Sequence, residues 1–199
     1  MLEMQDAMNT RVHSRWREQN FEWYRAIWVE CAELLDHYGW KWWKKQEPEL
    51  DQVKLELVDI WHFGMSDLLG GDGDYQALAS RLAPALTRFP AAGDFRRNLE
   101  VFASDTLQHQ RFDPRKFASL LSDVGLSFDE LYSQYIGKNV LNFFRQDHGY
   151  QDGTYRKTWA GREDNEHLAE LVVALDPARP EFKELLYAAL AERYQGLSA

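Results

Sequence analysis

The chain has 199 residues, 45% of them hydrophobic and 14% aromatic, so a substantial core is available and extended disorder is excluded. That length admits one large domain or a compact domain with a subdomain. A formal net charge of −9 argues against general affinity for nucleic acid or anionic membranes.

Helical signals run nearly end to end, with no hairpin-bounded β alternation, internal repeat or low-complexity segment. The sequence predicts a first amphipathic helix over 1–17. A second, over 21–38, carries Trp23, Ile27, Cys31, Leu34 and Leu35 on one side and is closed by Gly39. Residues 40–48, "WKWWKKQEP", read as a connector stopped near Pro48. A third helix is expected over 49–69, ending at the flexible loop "GGDGD". Three shorter helices fill 75–125, broken at Pro90 and Gly93 and restarted at Asp113-Pro114. Ser127 and Glu130 form a capping box for a long helix to Gln146. A glycine-punctuated loop follows, with turn chemistry at Asp152-Gly153. Two last helices, 163–175 and 180–195, flank "DPARP". The expected fold is all-α, a helical bundle with satellite helices, forming one domain over 1–199. A middle segment, 70–125, is a candidate for independent movement.

Two motifs carry paired acids, "ECAE" at 30–33 and "ELVD" at 56–59. Residues three apart share a helix face, so Glu30 projects with Glu33 and Glu56 with Asp59. The third helix is apolar almost all round, and Glu56 and Asp59 occupy its gap. Carboxylates there repel each other and lose solvation unless a cation or base pairs with them. Four such groups offer hard oxygen ligands that suit Mg²⁺ or Mn²⁺ better than Zn²⁺. The competing reading is four solvated acids on helix faces, and spacing alone leaves the two nearly balanced. Cys31 is the only cysteine, which excludes an intrachain disulfide and a thiolate zinc site.

On the long helix Tyr135, Lys138, Asn142 and Arg145 fall on one stripe, followed by a loop with Arg156 and Lys157. Such a stripe suits phosphate oxygens, or else pairs with the surplus acids. His62 reads as a satisfied core histidine, and His148 is loop-borne. The N-terminus shows no leader-like apolar core and no apolar run reaches spanning length, so a soluble, reducing, cytoplasmic setting is expected.

The stretches "ECAELLDHYGWKWWK", "ELVDIWHF" and "YIGKNVLNFFRQDHGYQDGTYRKTWAGREDNEHLA" closely resemble the dimeric all-α dUTPases. These belong to the all-α nucleotide pyrophosphohydrolase group, unrelated to the trimeric β-fold enzymes. The paired-acid motifs occur across the wider group, whereas K-N-x-L-N-x-F-R-Q-x-x-G-Y is specific to the deoxyuridine branch. The resemblance implies hydrolysis of dUTP to dUMP and pyrophosphate by a homodimer. It implies roughly two or three Mg²⁺ ions on Glu30, Glu33, Glu56 and Asp59, with Mn²⁺ as a substitute. Glu33 matches the position that orients or deprotonates the attacking water. Lys138, Asn142 and Arg145 match contacts to sugar and phosphates, Gln5 and Asn9 match amides near uracil, and Tyr150 and Lys157 fall in the phosphate-side loop. Trp40, Trp43 and Phe63 are candidates to wall the pocket or stack on the base, with core packing the favoured role for each. Residues 64–125 show no convincing match to the family, and Gln151 stands where a lysine is expected. A same-fold enzyme for another base such as dCTP, or an inactive nucleotide- or partner-binding relative, are the alternatives.

Overall fold

Why the chain makes helices where it does is visible at their ends. The structure, a computed structural model, describes residues 1–71, 73–175 and 179–196. The described helices are α1 Leu2–Val12, α2 Trp23–Tyr38, α3 Leu50–Gly71, α4 Tyr75–Thr87, α5 Phe95–His109, α6 Pro114–Asp123, α7 Phe128–Asp147, α8 Asp164–Ala174 and α9 Phe182–Gln195. The fold is all-α; the described strands are two short ones, β1 Thr158–Trp159 and β2 Arg162–Glu163.

Side chains that accept from orphan backbone N–H groups start several helices. Asp74 accepts from Gln76 and Ala77, Asp94 from Arg97, and Asp113 from Arg115 and Lys116, with Pro114 pre-set for the first turn. Ser127 and Glu130 form the expected reciprocal capping box at α7. α2 ends where Gly39, at φ +87°, turns the chain away while its N–H still bonds the Leu35 carbonyl at 3.0 Å.

Several expectations need correction. The first helix does not reach residue 17: His13 is extended, and a separate 3₁₀ turn holds Trp16–Glu18 so that Trp16 is buried and its indole N–H bonds Asp6. Gly70 and Gly71 remain helical rather than opening the loop. The loop after α7 contains an antiparallel hairpin whose two turn residues, Ala160 and Gly161, both have positive φ, as a type I′ turn requires. Asp176, Pro177 and Ala178 of "DPARP" lie outside the described residues.

α2 and α3 form an antiparallel hairpin. The Glu49 N–H bonds the His37 carbonyl at 2.9 Å at one end, and Trp23 stacks on Phe63 at 6.3 Å at the other. α3 is the central helix, with Val53, Leu57, Val58, Ile60, Trp61, Met65 and Leu69 all buried. Trp61 lies parallel to Phe117 at 5.6 Å and beside Phe112, so α6 and its preceding loop share the core of α3. α5 packs on α2, and α4 on α6. α7 lies against α1, α3, α8 and α9. Its approach to α8 depends on Gly137, where a Cβ would come within 2.8 Å of Val172. No described helix is long and apolar enough to cross a membrane.

Candidate functional site

The hairpin of α2 and α3 faces α7, and α1 and the loop into α8 close the two ends of the space between them. The result is a cavity of about 760 Å³. Its floor is acidic. Glu30, Glu33 and Glu56 each place a carboxylate oxygen within 4.8 Å of the others. The fourth expected acid, Asp59, lines the same cavity but bonds elsewhere: Lys138 Nζ donates to its Oδ2 at 2.7 Å.

Electrostatics follow from this crowding. Burial, then the nearby Asp59, Glu56 and Glu33 carboxylates, push the Glu30 carboxyl up to about 9. Burial and Asp59 also raise Glu56. The reading of four freely solvated acids does not describe these groups, because Glu30, Glu56 and Asp59 are half-buried and the charge on Glu30 is destabilised by the other three acids. An all-oxygen set with this repulsion fits a hard divalent cation, which would restore the charged forms.

The opposite wall is cationic and comes from α7 and α8. Lys138 is buried and also donates to Asn165 Oδ1 at 3.1 Å. Arg145 donates from Nε and Nη2 to the two oxygens of Asp164, both at 2.8 Å, and from Nη1 to Asn142 Oδ1 at 3.2 Å. Tyr155 supplies a second donor to Asp164 at 2.8 Å. The Arg145 guanidinium lies over the Tyr150 ring, 5.8 Å from its centre. Tyr150 is carried by a turn at Gly149, φ +87°, where a Cβ would overlap the Thr154 hydroxyl. Lys157 lines the cavity mouth and pairs with Glu163 at 3.2 Å.

At the far end the lining becomes amide and aromatic. Gln5 and Asn9 are buried and share Ser66, whose hydroxyl accepts from both at 3.1 and 2.9 Å. His62 is buried as expected, but only half satisfied. Its Nδ1 donates to the Val58 carbonyl at 2.8 Å, while Nε2 has no partner among the described residues. Burial holds the ring neutral, lowering it to about 4, so Nε2 is an acceptor at the cavity wall. Trp23 and Phe63 supply apolar walls.

Most of the expected site residues therefore line one cavity, from Gln5 and Asn9 through the acids to Lys138, Asn142, Arg145, Tyr150 and Lys157. Trp40 and Trp43 take neither of their expected places. They are 45% and 57% exposed, outside both core and cavity, because Gly39 turns the connector outward and Gln46 holds it there through the Trp40 and Lys41 N–H groups. Asp164, Asn165 and Ser66 escaped sequence reasoning. The available signal for Asp164 was its place at a helix start, which favours an anion, beside a family-like arginine that would need a counter-charge once buried.

The all-α fold thus brings clustered carboxylates and the buried cations Lys138 and Arg145 to one cleft. The dUTPase family model matches residues 1–150, and the chain belongs to that family. Family membership makes it a nucleoside triphosphate hydrolase. The match includes all four acids and the α7 cations and, contrary to the expectation for 64–125, spans that segment too; it ends before Tyr155, Lys157 and Asp164. No curated protein sequence matches the chain.

Proposed function

We propose that the protein hydrolyses dUTP to dUMP and pyrophosphate with Mg²⁺ held by Glu30, Glu33, Glu56 and Asp59. The observation that carries this reading is the convergence of three carboxylates within 4.8 Å in the same cavity as a buried Asn9 and the Lys138–Arg145 stripe. When bound, Mg²⁺ would neutralise the carboxylates against the phosphates and activate water. Glu33, the exposed member of the acid cluster, orients the attacking water and accepts its proton. Lys138 and Arg145 place positive charge beside the phosphates, with Asp164 fixing the plane of the Arg145 fork. Tyr150 and Lys157 approach from the loop on the phosphate side.

Base reading falls to the amide end. Uracil offers a donor at N3 and acceptors at O2 and O4. The free edge of Asn9 and the unpartnered His62 Nε2 supply groups of both kinds in the cavity that Trp23 and Phe63 also line. Gln5 is the support for Asn9. We further propose that the chain acts as one domain in the cytoplasm, and as a homodimer; exposed Trp40, Trp42 and Trp43, which touch one another, provide apolar surface suited to a partner.

Pyrophosphate release from dUTP, dCTP, dTTP and UTP, each with Mg²⁺ and with EDTA, tests the reading. Metal-dependent preference for dUTP is expected. Metal-dependent turnover of another nucleotide would overturn the base assignment and keep the chemistry.

A further inference from the structure

Whether an amide reads uracil or cytosine depends on which of its two atoms sits where, because the two bases present reversed donors and acceptors at N3 and C4. Bonding around Asn9 sets that orientation. Gln5 Nε2 uses both of its protons, one to Asn9 Oδ1 at 3.0 Å and one to Ser66 Oγ at 3.1 Å. Asn9 Nδ2 gives one proton to the same Ser66 oxygen at 2.9 Å, and the Ser66 hydroxyl proton goes to the His62 carbonyl at 2.9 Å, the nearer of its two acceptors, Asn9 Oδ1 lying at 3.3 Å. Asn9 is left with one N–H and one carbonyl lone pair for the cavity.

Turning the Asn9 amide alone would set its N–H groups against those of Gln5. Gln5 would have to turn with it. What holds Gln5 lies behind it, away from the cavity. Tyr135 OH donates to Gln5 Oε1 at 3.2 Å, and Asn139 Nδ2 donates to the same hydroxyl at 3.3 Å. The Tyr135 hydroxyl also lies 3.2 Å from the Met1 carbonyl, which takes the Gln5 backbone N–H at 2.9 Å, so Tyr135 and the start of α1 hold Gln5 together. Tyr135, Asn139 and Ser66 are all at most 1% exposed, so water does not substitute for these bonds.

We infer that Tyr135, backed by Asn139, is a positioning residue that fixes the Gln5–Asn9 amide pair in one orientation and thereby sets uracil over cytosine. It lines no part of the cavity; its hydroxyl acts through Gln5, while its ring packs on His62. The inference rests on the dUTP reading given above.

The test compares kcat and KM for dUTP and dCTP in the wild type, Tyr135→Phe and Ser66→Ala. Phenylalanine keeps the ring that packs 4.5 Å from His62 and removes only the hydroxyl. The dUTP/dCTP ratio of kcat/KM is expected to fall by about 10- to 100-fold in Tyr135→Phe. The loss should come through KM for dUTP and a gain with dCTP, leaving kcat for dUTP near its wild-type value. Ser66→Ala removes the anchor on the other side of the pair and must move the ratio the same way, and Asn139→Ala, which withdraws the donor behind the Tyr135 hydroxyl, decides the matter if Tyr135→Phe does not fold. An unchanged ratio in a folded variant overturns the positioning role. A wild type without preference for dUTP over dCTP would instead remove the substrate reading itself.

Discussion

Arg145 and Asp164 meet through two parallel hydrogen bonds of 2.8 Å, and the Asp164 side chain is wholly buried. A guanidinium fork matched to a carboxylate in this way is fixed in plane as well as in charge. The pair joins α7 to the first residue of α8, so one contact both closes the fold and aims the cation at the cavity.

Removing the carboxylate therefore has two consequences. Asp164→Ala leaves Arg145 buried without its counter-charge and is expected to cost about 3–5 kcal/mol. Burial alone would raise the Asp164 carboxyl, but Arg145 and Tyr155 outweigh it and hold the group below its ordinary value. With the folded value below the unfolded one, the stabilisation is fully present above about pH 4 and is lost as pH falls through the folded value. Urea melts of the wild type and Asp164→Asn across acid pH should converge at the low end.

Glu33→Gln should keep the fold and lose about 10²- to 10⁴-fold in kcat, the range for losing a general base. Steady-state kinetics with dUTP and Mg²⁺, beside a melting curve, check both halves. Unchanged kcat would take Glu33 out of the proton transfer.

Metal binding has a readout that needs no turnover. Mg²⁺ should raise the melting temperature without nucleotide, and a concentration about 100 times the dissociation constant corresponds to about 2.7 kcal/mol. The double variant Glu30→Gln with Glu56→Gln should be insensitive to Mg²⁺. A shift that survives in the double variant would place the cation elsewhere.

Gly137→Ala tests the contact between α7 and α8. The new methyl would meet Val172 at 2.8 Å, and such overpacking costs about 1–3 kcal/mol. Val172→Ala in the same chain should recover most of the loss, as judged by thermal melts of the single and double variants.

Legibility from sequence followed the range of the interactions involved. The ends of α2, α6 and α7 were readable because Gly39, Asp113-Pro114 and Ser127 with Glu130 act within a few residues of themselves. The pairing of acids was readable from helical spacing. Asp164 was not, because its partner lies 19 residues away across a loop and a hairpin that no periodicity announces. The break after Val12 depends on burying Trp16, which its local pattern does not reveal. The Ala160 turn needs a positive φ at a residue that seldom adopts it, so Gly161 alone signalled a turn there. Tryptophans at 40 and 43 suggested burial by type, and the turn at Gly39 carried them outward instead.

The hairpin of α2 and α3 also dictates an order of assembly. Its two helices are neighbours in the chain, whereas Lys138 reaches Asp59 from 79 residues away and Tyr135 reaches Gln5 from 130. Short loops close at lower entropic cost and form early. The acidic hairpin thus gathers its like charges before the C-terminal half of the chain brings the neutralising lysine. A chain folded only as far as α3 would hold these acids with His37, 3.8 Å from Glu56, as their near base, and without Lys138.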